Sequence, residues 1–414
     1  MDTLTRRRFL AASGAVVAAG AGAYALSDIL RTSGDRDPSA RTLVLVTLYG
    51  GNDGLNTVIP YADPAYAAAR PALAYNADQV LRLDDQFGFN PAMKGLHQAY
   101  GKGRLAVVRG VGYPKPDRSH FRSMDIWQSG RPDHPENTGW LGRWLDASGG
   151  DPRLAVSFEP VLPPLLAGAH SAGATVPGGE LKLPAFVTAD QLTALGRADP
   201  TEPPARARAA TCFTDLTRIQ DLMADVTASA ASSSSSSDAG DSDEEPAATA
   251  TGGASQPLEA QLGLVAKCVE AGAATRVYSV SLGGFDLHAD EKTAQESQLT
   301  KLDKPLAAFA DRMSRTDAGR NVVIAVYSEF GRRVTANASD GTDHGTASSM
   351  FLLGAGVKGG LYGEPPSLTD LDQGDLKYTT DFRDVYATLL ADVLATDPAP
   401  ILNGWQSHLP TVFS

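Results

Sequence analysis

Six side chains able to ligate a metal follow three apolar runs of this sequence. Asp53 stands just past the run Thr42 to Leu48, Asp286 and His288 just past Val277 to Leu282, and Glu329 directly after Val322 to Ser328, with Asp343 and His344 a short way downstream. Carboxylate oxygens and imidazole nitrogens together suit zinc, manganese or another divalent first-row ion, and ligand type alone leaves the ion's identity open. Each residue also has a plain structural use: Asn52-Asp53-Gly54 as a turn, Asp286 as a cap, His344 as a hydrogen-bonded loop histidine. For the whole set, that use has to recur at three strand ends, and the recurrence favours a polar site.

The elements that must position these groups alternate between two periods. Thr42 to Leu48 and Leu105 to Val108 are short continuous apolar runs and read as buried strands, the first ending in Gly50-Gly51-Asn52-Asp53. Leu258, Leu262, Val265 and Val269 share one helical face, with Gly272 placed to end that helix before a strand over Val277 to Leu282. A helix over Leu302 to Met313, strands over Val322 to Ser328 and Met350 to Leu353, and an amphipathic helix over Phe382 to Leu394 complete the pattern. Such alternation predicts an α/β fold, a mainly parallel central sheet with helices on both faces. Ligands in such folds bind beyond the carboxyl ends of the strands, which is where the six groups stand.

The strings LYGGNDGLNTVIP, RSHFRSMDIWQSG, TGWLGRW, SLGGFDLHADE, YSEFGRR, DGTDHG and DFRDVYATLL extend from Leu48 to about Leu390. Together they resemble the exported bacterial family catalogued as domain of unknown function 1501, itself similar to the alkaline-phosphatase and sulfatase superfamily. The resemblance implies an alkaline-phosphatase-like fold and a site for one or two metal ions. Asp53 then matches the superfamily's first-strand metal aspartate, Asp286 with His288 a shortened form of its Asp-then-His pair, and His344 its late metal-binding histidine. Glu329 stands where an Asp-His-Gly motif has its aspartate, and Phe330 occupies the histidine position and cannot coordinate a metal. By ligand count, Asp286, His288 and His344 make one site with a position left for water or substrate. Asp53 and Glu329, helped by Asp343, make a weaker second one. One metal, two metals with altered ligands and a metal-free relic are all compatible with these residues.

The superfamily places a Ser, Thr or Cys nucleophile at the start of a helix, and Ser119 to Gly130 has that layout. Ser119 is either that nucleophile or the helix cap; Thr57 is a weaker rival. Exposed N–H groups at a helix start favour anions, and Arg118 and Arg122 could hold anionic oxygens. Arg332 and Arg333 face either the site or solvent. His97, His134, His170 and His408 lack partnered spacing and read as structural or surface residues. The Cys-x-Pro-Ser-Arg signature of formylglycine sulfatases is absent.

Residues 1–26 carry Arg6-Arg7 before Phe9-Leu10, then a short Ala/Gly/Val run with Ala23 and Ala25 as a cleavage signature. This is the pattern of a twin-arginine signal peptide, which makes the Tat translocase a partner and places the protein in the periplasm or outside the cell. A polar linker over 27–40 and a single α/β domain over 41–414 follow. Ala228 to Ser255 holds six consecutive serines and an acidic cluster without one large apolar side chain, so it reads as a disordered surface insertion. The net charge of −12 comes with no basic stripe, which excludes nucleic acid as a partner. Cys212 and Cys268 lack metal-type spacing and are either one bridge or two buried thiols. Two functions are compatible with the whole: an exported metal-dependent hydrolase of small anionic phosphate, sulfate or related esters, and a non-catalytic envelope protein that binds a polymer or anion.

Overall fold

The computed structural model describes residues 29–30, 37, 39–159, 161–176, 254 and 256–413. The signal peptide over 1–26, most of the 27–40 stretch, Cys212 and nearly all of the 228–255 insertion lie outside the described residues. Ile29, within that supposedly polar stretch, is buried in the core.

Nine strands form the central sheet: β1 (Thr42–Leu48), β2 (Leu105–Gly112), β3 (Ala155–Ser157), β4 (Ala174–Thr175), β5 (Val277–Leu282), β6 (Val322–Ser328), β7 (Ser348–Leu353), β8 (Gly360–Tyr362) and β9 (Thr380–Asp381). Their order is β8-β2-β7-β6-β1-β5-β3-β4, with β9 pairing beside β2. β1 lies between β5 and β6, parallel to both, with Leu48 in register with Leu282 on one side and Ser328 on the other. This register brings the ends of three strands, and the residues that follow them, to one edge. β7 runs antiparallel to β2 and β6, so its amino-terminal approach, residues 344–347, arrives at that same edge.

All seven residues of β1 are buried because helices cover both faces. Val44 and Val46 point to one side, where they join Leu262 and Val265 of α4 (Leu258–Glu270) and Leu302 of α5 (Glu291–Ser314). Leu43 and Leu45 point to the other, among residues of α2 (His120–Ser129), α3 (Trp140–Ala147) and α6 (Phe382–Thr388). A further helix, α1 (Lys94–Gly101), packs Leu96 on the first side. Burial of each such aliphatic side chain contributes about 1.5–3 kcal/mol. Cys268 of α4 is one of these small core residues, and its thiol is free.

α5 begins eleven residues before the expected Leu302, since its first half is rich in Glu, Gln, Lys and Thr and its apolar periodicity starts late. Gly272 ends α4 as expected, at φ +71°. Among the described residues, no helix is long and apolar enough to cross a membrane.

Candidate functional site

The turn after β1 sets the floor of the site. Gly50 lies at φ +113°, and a Cβ there would fall 2.6 Å from the backbone nitrogen of Asp286, so only glycine lets the two strand-end loops touch. Arg332 is buried beneath this contact. Its Nε donates to the Gly51 carbonyl at 2.7 Å and its Nη1 to the Thr342 carbonyl at 2.9 Å. Its Nη2 donates to the Gly50 carbonyl, to the Phe285 carbonyl at 3.0 Å and to Asp286 Oδ1 at 2.7 Å. Every donor face is thus committed to the frame. Arg332 is a tie between loops, which corrects its expected place on the substrate or in solvent.

Asp286, His288 and His344 converge. Asp286 Oδ1 lies 2.9 Å from His288 Nε2 and 3.1 Å from His344 Nε2, and the two imidazole nitrogens are 3.0 Å apart. A triangle of that size leaves a point about 2.0–2.1 Å from all three atoms, the bond length zinc makes to imidazole and carboxylate. A fourth group, absent from the sequence expectation, joins them: His120, first residue of α2, has its Nε2 3.5 Å from Asp286 Oδ2. Ligand atoms of His120, Asp286 and His344 all lie within 4.8 Å of one another.

The outer nitrogens decide which face each imidazole presents. His120 Nδ1 is 2.8 Å from Glu329 Oε1, His344 Nδ1 is 2.8 Å from the Arg118 carbonyl, and His288 Nδ1 is 3.4 Å from Asp343 Oδ1. His120 Nδ1 and His344 Nδ1 each have an oxygen at 2.8 Å, and a proton held there leaves their Nε2 lone pairs turned inward, as in histidines that bind metals. His120 Nε2 is buried without a hydrogen-bond partner. Inward lone pairs, an orphaned buried nitrogen and an ionised carboxylate form a donor set that fits a divalent ion. Burial opposes ionisation of Asp286, but the hydrogen bond and charge of the Arg332 guanidinium outweigh it and hold its pKa down to about 2. Burial lowers the pKa of His344, which keeps it neutral and able to coordinate.

The second expected set does not assemble. Asp53 is buried and forms a two-pronged ion pair with the fully buried Arg70, whose Nη2 lies 3.1 Å from Oδ1 while Nη1 meets Oδ2. Burial alone would raise the pKa of Asp53, yet Arg70 lowers it overall. Glu329 accepts from the Gly50 N–H at 2.8 Å, from Ser328 Oγ at 3.0 Å and from His120, so it orients that imidazole and is itself satisfied. Asp343 is exposed and held by Asn337 Nδ2 at 3.2 Å besides facing His288. The Phe330 ring, buried, has its centre 4.9 Å from both the His120 and the His344 rings and forms an apolar wall.

Ser119 occupies the N-cap position of α2, but its exposed side chain makes no capping hydrogen bond; Asp117 accepts from its N–H at 2.8 Å. Arg118 holds His344 through its carbonyl, while its guanidinium is tied to Asp375 with Nε at 2.7 Å. Arg122, partly buried on the first turn of α2, is in no ion pair among the described residues. Thr57 is buried, its hydroxyl donating to the Asp53 carbonyl at 2.7 Å, which removes it from nucleophilic work. Arg333 faces Asp375 at 3.3 Å and the Gln373 carbonyl at 2.7 Å.

Sequence reasoning also passed over Glu291. It is buried at the start of α5, takes a 2.6 Å hydrogen bond from Thr342 Oγ1, and turns its other oxygen, which has no donor, toward Asp53. Burial, then the Asp53 charge, push its pKa up to about 9. It is a neutral acid beside Asp53 that, through Thr342, clips the loop after β5 to the segment carrying His344.

No curated protein matches the chain. Among solved structures, it is similar to a member of the alkaline phosphatase superfamily from Vibrio parahaemolyticus, with a TM-score of 0.38 and 10% identity over 92% of this chain and 77% of that one. A phosphonate monoester hydrolase from Silicibacter pomeroyi is similar with a TM-score of 0.37 and 10% identity, over 90% and 78%. The alkaline phosphatase of the Antarctic bacterium TAB5 gives a TM-score of 0.34 and 9% identity, over 76% and 92%. A family model described as a protein of unknown function (DUF1501) matches residues 40–403, and the chain belongs to that family.

Proposed function

We propose that this protein is a metal-dependent hydrolase of phosphate, sulfate or related esters, exported by the Tat translocase and acting outside the cytoplasm. The observation that carries the reading is the convergence of Asp286 Oδ1, His288 Nε2 and His344 Nε2, with the orphaned His120 Nε2 beside them. These four residues would hold one divalent ion, zinc or manganese by ligand type. A bound ion would polarise an ester oxygen and make a hydroxyl more acidic.

The chain's own groups supply the rest. Glu329 keeps the proton of His120 on Nδ1, and the Arg118 carbonyl does the same for His344. Arg332 keeps Asp286 ionised and aimed. Ser119, uncapped at the head of the ten-residue α2, is the proposed nucleophile, and the first N–H groups of that helix favour the anionic ester beside it. Arg122 is the cation of the first turn left to meet the substrate, because Asp375 neutralises Arg118. Since Asp53 and Glu329 are otherwise engaged, one ion is expected, not two.

The test measures metal on protein folded and purified without chelators. His288→Ala and His344→Ala should each remove most of the bound ion, and the double variant should add little, as for ligands of one site. Retained metal together with hydrolysis of an aryl phosphate or aryl sulfate that Ser119→Ala abolishes would support the full reading. Retained metal without turnover of either ester class would support the envelope-binding alternative, and absence of any divalent ion would overturn the metal-dependent hydrolase.

A further inference from the structure

A second cavity, of about 400 Å³, lies beside β2 and shares no residue with the histidine cluster. That volume is in the range of small-molecule sites. Its walls are mostly apolar, with Leu55, Val58, Phe87 and Leu368 among them, and two polar groups stand out: Arg109 and Ser348.

Arg109 belongs to β2 and is partly buried. Its guanidinium lies over the Phe87 ring at 5.1 Å and donates to the backbone carbonyls of Gly363 at 2.6 Å and Tyr362 at 3.4 Å. Among the described residues no carboxylate pairs with it. Asp63, on the cavity rim, caps a helix through the Ala65 N–H at 2.9 Å, and Asp84 accepts from the N–H groups of Gln86 and Phe87 at 2.8 and 2.7 Å. Asp84 and Glu364 act on Arg109 only through space, and burial outweighs them, lowering its pKa. A guanidinium partly desolvated without a counter-charge is costly unless something supplies one.

Ser348 gives the second, independent observation. Its Oγ is buried and has no hydrogen-bond partner. The pairing of β7 with β2 shifts register between Ser348 and Met350, opposite Arg109 and Gly110. Such bulges re-aim side chains and recur beside binding sites. An orphan hydroxyl and an unpaired guanidinium thus come from adjacent strands into one apolar cavity.

We infer that this cavity binds a small amphipathic monocarboxylate, with the carboxylate held by Arg109 and Ser348 and the apolar body among Leu55, Val58, Phe87 and Leu368. Two donor groups match the two oxygens of a carboxylate. A phosphate would leave a charged oxygen facing apolar walls, and a cation would meet Arg109 directly.

Calorimetric titration of the full chain with hexanoate, hexanol and hexylamine tests this. Hexanoate should bind saturably, and hexanol and hexylamine more weakly. Arg109→Met should weaken hexanoate by about tenfold or more while leaving hexanol unchanged, the effect of one charge-assisted contact. If that variant fails to fold, Leu368→Trp fills the apolar end without touching either polar group and should abolish hexanoate binding. Absence of saturable hexanoate binding, equal binding of hexylamine, or full binding by either variant would overturn the inference.

Discussion

Replacing Glu291 by Gln isolates one proton in the frame of the site. Burial and the neighbouring Asp53 charge raise Glu291 from its ordinary 4.5 to about 9, so the folded protein retains a proton there that the unfolded chain has released by neutral pH. A group raised in the folded state contributes stability that is fully present below its unfolded pKa and is lost as pH rises toward and through the folded one. Asp53 is lowered and ionised in both states above its ordinary 3.8, so it adds no slope in the window from pH 6 to pH 8. Across that window, one retained proton makes the wild type lose about 1.4 kcal/mol of stability per pH unit. The amide of the Glu291→Gln variant has no proton to lose and still offers Thr342 an acceptor. Urea unfolding at pH 6, 7 and 8, with metal removed, should therefore show the variant gaining on the wild type by about that amount per unit. A stability difference that stays constant with pH would refute the neutral-acid assignment, whatever its size.

Three further outcomes are expected. Phe330→His should leave metal stoichiometry at one, measured by elemental analysis, because Asp53 is paired with Arg70 and Glu329 with His120; a second equivalent would restore the two-metal reading. Metal retention should fall only as pH drops below the ordinary imidazole value, because burial lowers the pKa of His344 while Asp286 stays ionised down to about 2; equilibrium dialysis from pH 8 to pH 4 checks this, and release already complete at pH 7 would refute it. Changing Arg6 and Arg7 together to Lys keeps the charge and should leave precursor inside the cell; normal export of that variant, followed by fractionation, would sink the Tat assignment.

How much of the fold could be read in the sequence depended on whether burial alone determined the pattern. β1 is buried on both faces, so its apolar run admits no polar alternation and marks it as a central strand. The first half of α5 covers the rim of the sheet with Glu, Gln and Thr, and its buried positions include Glu291 and Gln295, which a hydrophobic period cannot register. The direction of β7 was equally hidden. An isolated run such as Met350 to Leu353 has the same composition in a parallel or an antiparallel strand, and only pairing with β2 and β6 fixes it.

The site shows the same division more sharply. Residue type and strand-end position sufficed to bring forward Asp286, His288 and His344, which converge because groups at the carboxyl edge of a parallel sheet are brought together by the register of β1 with its neighbours. Type and position could not separate a ligand from the group that aims it. Asp53 and Glu329 stand at the same edge, yet a cation 17 residues away takes the first and a histidine on α2 takes the second. Both partners were in plain view, Arg70 as an isolated arginine in an Ala-rich stretch and His120 directly beside the proposed nucleophile. What the sequence lacks is the pairing, and pairing reverses the apparent chemistry. Glu329, next to Phe330, hydrogen-bonds His120 and does not stand free. By fixing the His120 proton on Nδ1, it converts a residue at a helix start into an inward donor, and Phe330 packs against that imidazole and His344 to hold the rings in place. On the proposed single-metal reading, the departure from the two-metal pattern at position 330 leaves the carboxylate and the aromatic ring to orient the histidines that remain.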